Sequence, residues 1–261
     1  GTMGAAMAQV CAGRGCRVFL YGRAESSPEK GRALIALNQQ VLVEQGALTR
    51  EESAGLLSRI ELTTSLDCMG ESDIISENIV ENLESKLEFF RRIDPLLKSG
   101  AIVTTNTSGL SINAIARGVS RRENFAGMHW VNPPHLIPLV EIIRAEETSP
   151  ETAGSIAEFL RGLGKQPVLV RKDAPGFVLN RLQFAVMREA IHIVESGIAS
   201  PEDVDAAFKY GLGIRYACCG PFETADLGGV DTFSSISNYL FADLDASKAG
   251  PSTHLTLPAK K

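Results

Sequence analysis

His129-Trp130-Val131-Asn132-Pro133-Pro134 is followed by Pro138-Leu139-Val140-Glu141, so an imidazole and a carboxylate flank a proline-rich turn. His129 ends one short apolar run and Glu141 lies inside the next, which lets the turn return the carboxylate to the ring. That is a proton acceptor and its orienter: the carboxylate fixes the imidazole tautomer and stabilises the imidazolium formed when a hydroxyl proton is taken. A second constellation opens the chain. Gly1-Thr2-Met3-Gly4 begins a small-residue helical run, ahead of the β-branched and aromatic stretch Arg17-Val18-Phe19-Leu20-Tyr21. This matches the last two glycines of G-x-G-x-x-G. One glycine admits the backbone to a pyrophosphate, the other packs the helix on the strand, and the helix N-terminus favours negative charge. The motif's first glycine and the strand before it are expected ahead of Gly1. At the ribose position, where an Asp or Glu serves NAD, the chain reads Tyr21-Gly22-Arg23. Loss of the acid relieves repulsion, and Arg23 can pair with a 2′-phosphate, so the local chemistry permits NADP beside NAD.

These residues need a scaffold, and the sequence pattern specifies one. Short apolar runs at 17–21, 74–76, 101–105, 125–129, 139–143 and 168–170 alternate with helical stretches, as in a doubly wound, mostly parallel sheet. Ser27-Pro28-Glu29 starts a helix, and Thr49 with Glu52 makes a capping box, so 27–58 reads as a helical hairpin. After Asp173-Ala174-Pro175-Gly176 the pattern is helical, with a long amphipathic helix over 177–196 and further starts at Ser200-Pro201, Gly220-Pro221 and Gly228-Gly229. The expected architecture is an α/β Rossmann-type doubly wound domain over 1–172, followed by an all-α C-terminal domain over 173–241. Residues 242–261 lack periodicity and read as a loose tail.

Composition narrows the partners. The 261 residues carry a formal net charge of −5, which argues against nucleic acid, and no apolar run approaches the ~20 residues of a spanning helix. No membrane partner is expected. Cys11, Cys16, Cys68, Cys218 and Cys219 are odd in number without a C-x-x-C pair, so reduced thiols, a cytoplasmic setting and no metal are expected.

Five blocks in order resemble the 3-hydroxyacyl-CoA dehydrogenase family over residues 1 to ~240. They are the opening Gly-x-Met-Gly, Asn78-Ile79-Val80-Glu81-Asn82 with Lys86, Thr105-Asn106-Thr107-Ser108, the His129…Glu141 block, and 173–181 from Asp173 to Arg181. The resemblance implies that His129 is the base taking the 3-hydroxyl proton and Glu141 its partner. It implies that Ser108 and Asn180 hold the substrate's reacting oxygen or neighbouring carbonyl. Gly1, Thr2, Met3, Gly4, Arg23, Glu81, Lys86, Asn106, Ser108 and Asn132 would face the cofactor. It further implies a small-molecule acyl-CoA or hydroxy-acid substrate, a place in fatty-acid metabolism, and a homodimer through the helical domain. The stretches 132–138 and 213–216 are closer to the gulonate dehydrogenase, lambda-crystallin and carnitine dehydrogenase branches. There the substrate lacks CoA, and Arg215 would be free to pair with a carboxylate. A non-catalytic, crystallin-like or truncated relative is the rival reading.

Overall fold

Capped helices and short strands alternate through residues 1–178 of the computed structural model, which describes residues 1–246. In order these are α1 (Thr2–Gly13), β1 (Val18–Tyr21), α2 (Ser26–Glu44), α3 (Arg50–Ser58), β2 (Ile60–Thr63), α4 (Cys68–Glu71) and β3 (Ile74–Glu77). There follow α5 (Leu83–Ile93), β4 (Ile102–Thr105), α6 (Ile112–Ala116), β5 (Phe125–Trp130), β6 (Leu139–Arg144), α7 (Pro150–Gly162) and β7 (Gln166–Val170). Side chains set the helix starts. The Thr49 hydroxyl accepts the Glu52 N–H at 3.1 Å while the Glu52 carboxylate accepts the Thr49 N–H at 2.8 Å, completing the capping box of the hairpin. Asn82, Ser111 and Ser149 cap α5, α6 and α7 by accepting one backbone N–H each, while α2 begins at Ser26 without a side-chain cap.

The strands form a parallel pair, β1 with β2, and a five-stranded sheet in the order β3-β4-β5-β6-β7. All pairings are parallel except β5 with β6. The central strand β5 is buried throughout. Its alternation divides the core: Ala126, Met128 and Trp130 pack with Met7 of α1 and with Ile156 and Leu160 of α7. Phe125 packs on the other face with Phe90, Ile112 and Ile115. Gly127 is required on that face, because a Cβ there would come within 2.8 Å of Ile112 Cδ1.

Residues 179 onward form a second unit that is helical among the described residues: α8 (Leu179–Glu195), α9 (Pro201–Ala207), a π-helical turn at Phe208–Gly213, α10 (Ile214–Cys218), α11 (Pro221–Gly228) and α12 (Val230–Leu240). Two features depart from the sequence pattern. The long helix starts at Leu179 rather than at 177, because Phe177 takes a left-handed φ of 50° that a helix cannot accommodate. Strand β2 was not expected; it follows α3 with only the capping Arg59 between. Of the stretch read as a loose tail, residues 247–261 lie outside the described residues. Just before them the Asp245 N–H donates to Glu189 Oε2 at 2.8 Å, tying the chain to α8.

Between β1 and β3 lies a cavity of about 940 Å³, lined by every residue of both strands and by Gly1, Gly4 and Met7 of the α1 end. Since β1 pairs with β2 and β3 with β4, each strand keeps one edge of backbone donors and acceptors toward the cavity.

Candidate active site

The antiparallel register sets His129 directly opposite Glu141, so both side chains project from the same face. His129 Nδ1 lies 2.8 Å from Glu141 Oε2, with both side chains almost fully buried. A carboxylate only accepts, so Nδ1 carries the proton and Nε2 presents a lone pair. The second carboxylate oxygen, Oε1, accepts the Val178 N–H at 2.9 Å. The Phe177 ring stands against the imidazole with centroids 5.5 Å apart, and its side chain is buried. With the carboxylate held on both oxygens and the ring buried, Nε2 is the nitrogen left able to accept a proton.

The ends of β3, β4 and β5 are tied together beside it. Asn106 Oδ1 accepts the Trp130 N–H at 2.9 Å, and its Nδ2 donates to Asn78 Oδ1 at 2.8 Å and toward Met7 Sδ at 3.9 Å. The next turn carries Ser108, whose N–H donates to Glu81 Oε1 at 3.0 Å, alongside the Thr107 hydroxyl and the Gly109 N–H. Burial alone would push the Glu81 carboxyl up. The hydrogen bonds from Thr107 and Ser108, the nearby Lys86 charge and the Gly109 N–H outweigh it and hold the group below the usual carboxylate range. Lys86 is fully buried, 3.6 Å from Glu81 Oε2 and 2.8 Å from Glu77 Oε1. Glu77 was missed by the sequence reading. Its signal is an acid closing the apolar run Ile74-Ile75-Ser76, nine positions before a lysine.

Among the remaining residues singled out by sequence, Gly1 and Thr2 are exposed and Met3 and Gly4 half-buried at the start of α1, which has no acid in its first turn. A Cβ on Gly1 would meet nothing within 4 Å. This helix end therefore leaves backbone donors and open space for an anionic group, which fits a dinucleotide. Gly22, by contrast, is enforced by packing. A Cβ there would fall 2.6 Å from Pro28 Cδ and 2.9 Å from Ser27 Cβ, so the start of α2 excludes an acid from this position whatever the cofactor. Arg23 is exposed and lines the cavity beside Gly22. Asn132 is exposed on the turn after β5. That turn is held from below by Lys165, another residue the sequence reading missed, whose Nζ donates to Pro134 O at 2.6 Å and Ile137 O at 2.9 Å. Asn180 stands in the first turn of α8, and Arg215 in α10, both in the second unit. Burial, with the neighbouring Cys16, pushes the Cys11 thiol up to about 12, which keeps it protonated and unreactive. Among the described residues no cluster of three His, Cys, Asp or Glu could hold a metal, and no helix is long and apolar enough to cross a membrane.

Comparison with known proteins places this geometry among dehydrogenases. Residues 1–174 match the family model for the 3-hydroxyacyl-CoA dehydrogenase NAD binding domain, and residues 176–257 that for the C-terminal domain. The chain is 38% identical over 245 residues to the 5-formyl-3-hydroxy-2-methylpyridine 4-carboxylate 5-dehydrogenase of Mesorhizobium japonicum, covering 94% of this chain and 78% of that protein. It is 36% identical over 248 residues to the 3-hydroxybutyryl-CoA dehydrogenase of Clostridioides difficile, covering 95% and 87%. Among solved structures, that of the 5-formyl-3-hydroxy-2-methylpyridine 4-carboxylic acid 5-dehydrogenase, an NAD+ dependent dismutase, superposes with a TM-score of 0.87 at 36% identity, over 96% of this chain and 81% of the other. The (S)-3-hydroxybutyryl-CoA dehydrogenase from Ralstonia eutropha gives 0.78 at 36%, over 93% and 84%.

Proposed function

The chain belongs to the 3-hydroxyacyl-CoA dehydrogenase family, and from that premise we propose that it oxidises the 3-hydroxyl of a short-chain 3-hydroxyacyl-CoA, such as 3-hydroxybutyryl-CoA, to the ketone. It is an NAD-dependent oxidoreductase by family. The observation that carries the proposal is the His129–Glu141 pair at the carboxyl end of β5, on the sheet end where α1 begins. His129 Nε2 takes the hydroxyl proton, and Glu141 balances the imidazolium across its 2.8 Å hydrogen bond. NAD, when bound, accepts the hydride from the same carbon. The start of α1 and Asn78 would hold its phosphates and nearby groups, with Glu81, Asn106 and Asn132 as further cofactor-side residues; Lys86, expected there from the sequence, is instead fully buried and holds Glu77 and Glu81. Ser108 and Asn180 would hold the substrate oxygen, as hydroxyl and amide donors do for developing negative charge.

A second reading has its own support. The strongest structural likeness reported above is to an enzyme whose substrate is a pyridine carboxylate, not a thioester. In that reading the substrate is a free hydroxy acid and Arg215 pairs with its carboxylate. Initial rates of NADH consumption with acetoacetyl-CoA separate the two. Turnover supports the thioester, whereas silence with acetoacetyl-CoA and turnover of a free 3-keto acid supports the second reading. With the active substrate, His129→Ala is expected to lower kcat by about 10²- to 10⁴-fold, and an unchanged rate removes His129 from the role of base.

Two finer readings follow from exposed side chains. Because packing alone accounts for Gly22, the case for NADP rests on Arg23. Arg23→Ala should raise KM for NADPH more than for NADH, and no change in their ratio defeats the 2′-phosphate reading. The helical unit exposes the large apolar side chains Phe184, Met187, Phe222, Leu227 and Tyr239, the kind of side chain that protein–protein contacts cover. They are read as a homodimer surface. Sedimentation should give twice the 28.0 kDa chain mass, with Phe184→Glu and Phe222→Glu shifting the species to monomer; a parent that sediments as a monomer at micromolar concentration ends this reading.

A further inference from the structure

Glu77 is a carboxylate engaged on both of its oxygens. Its side chain is fully buried at the end of β3. Oε1 accepts the Ile79 N–H at 2.6 Å and Lys86 Nζ at 2.8 Å; Oε2 accepts Lys86 Nζ at 2.9 Å and the Thr105 hydroxyl at 2.6 Å. Its carbonyl accepts the Asn106 N–H at 3.0 Å. Lys86, equally buried, then reaches Glu81, and Glu81 holds the Thr107 hydroxyl and the N–H groups of Ser108 and Gly109. One ammonium thus links a buried carboxylate to the half-exposed one that orders the Ser108 turn.

Energetics argue that this link is not there for stability. An apolar pair of similar volume would serve the core as well as a buried ion pair, because desolvation offsets most of the attraction. What an apolar pair cannot do is fix an acceptor beneath three donors of one turn. We infer that Glu77 is a positioning residue for the dehydrogenase site, acting through Lys86 and Glu81 to set the backbone that carries Asn106 and Ser108. The inference rests on the reading of Ser108 as a group that holds the substrate oxygen.

The test uses Glu77→Gln and the double variant Glu77→Gln/Lys86→Met. The single variant strands a buried charge and is expected to lose stability; the double variant removes that charge and keeps the packing, so its Tm should return toward the parent's. In the folded double variant the Ser108 and Gly109 amides should exchange with solvent faster by about tenfold or more, while amides of β5 keep the parent's rates. With the active substrate, kcat should fall by about 10- to 100-fold with a smaller change in KM for the cofactor. Unchanged exchange at Ser108 and Gly109, or an equal rise in β5, overturns the inference. So does a kcat equal to the parent's. If the parent itself turns over none of the substrates, the proposed reaction fails, while the exchange measurement still decides whether Glu77 sets the turn.

Discussion

The site depends on one reversal of direction. Strand β6 runs antiparallel to β5 within a sheet whose other pairings are parallel, and with only the short turn from Trp130 to Leu139 between them it is this antiparallel ladder that places Glu141 straight across from His129. Register follows from burial. A slip of one residue would swing Glu141 into the apolar layer of Met128 and Ile156, where a carboxylate has no partner, and would expose Ile142 to the opposite face. The apolar alternation that builds the core therefore also aims the ion pair. Lys165 secures the turn between the two strands by donating to its carbonyls, so the reversal is held at both its pairing and its bend.

What the sequence made legible was whatever local chemistry encodes. Within the hairpin 27–58, α3 could be read from the Thr49–Glu52 box, because capping uses neighbours in the chain, whereas α2 starts at Ser26, ahead of the expected Ser27 cap, with no side chain capping it. His129 and Glu141 could be paired because a short turn between two apolar runs leaves few other registers. Strand β2 was not legible: four residues, Ile60 to Thr63, follow a helix with no turn residue to announce them. The start of α8 was misplaced because the left-handed backbone of Phe177, whose ring packs on His129, is not written in the helical periodicity.

Gly22 marks the boundary of what residue type alone conveys. Read in isolation, a glycine in place of an acid is a statement about the ribose and about charge. In the fold it is a statement about volume, because Pro28 and Ser27 occupy the space of any side chain. The reason is nonlocal only by five or six residues, yet no propensity scale contains it. Glu77 is the converse case. Its type invites an exposed, solvated reading, and only the nearness of Lys86 and Thr105 makes it a buried hub.

The two buried carboxylates, Glu77 and Glu141, divide the electrostatic work of the site. Glu77 meets an ammonium on both oxygens and a hydroxyl, so its charge is matched at all times and its surroundings have no reason to move. Glu141 meets the imidazole of His129, which in the proposed reaction gains one proton, and on its other oxygen a backbone N–H. Fixing the second oxygen independently of the imidazole keeps the carboxylate oriented when the ring is neutral. No reorganisation is then required when the proton arrives. A static pair beneath the Ser108 turn and a switchable pair on β5 and β6 are what a site needs if it must hold an oxygen still while taking a proton from it.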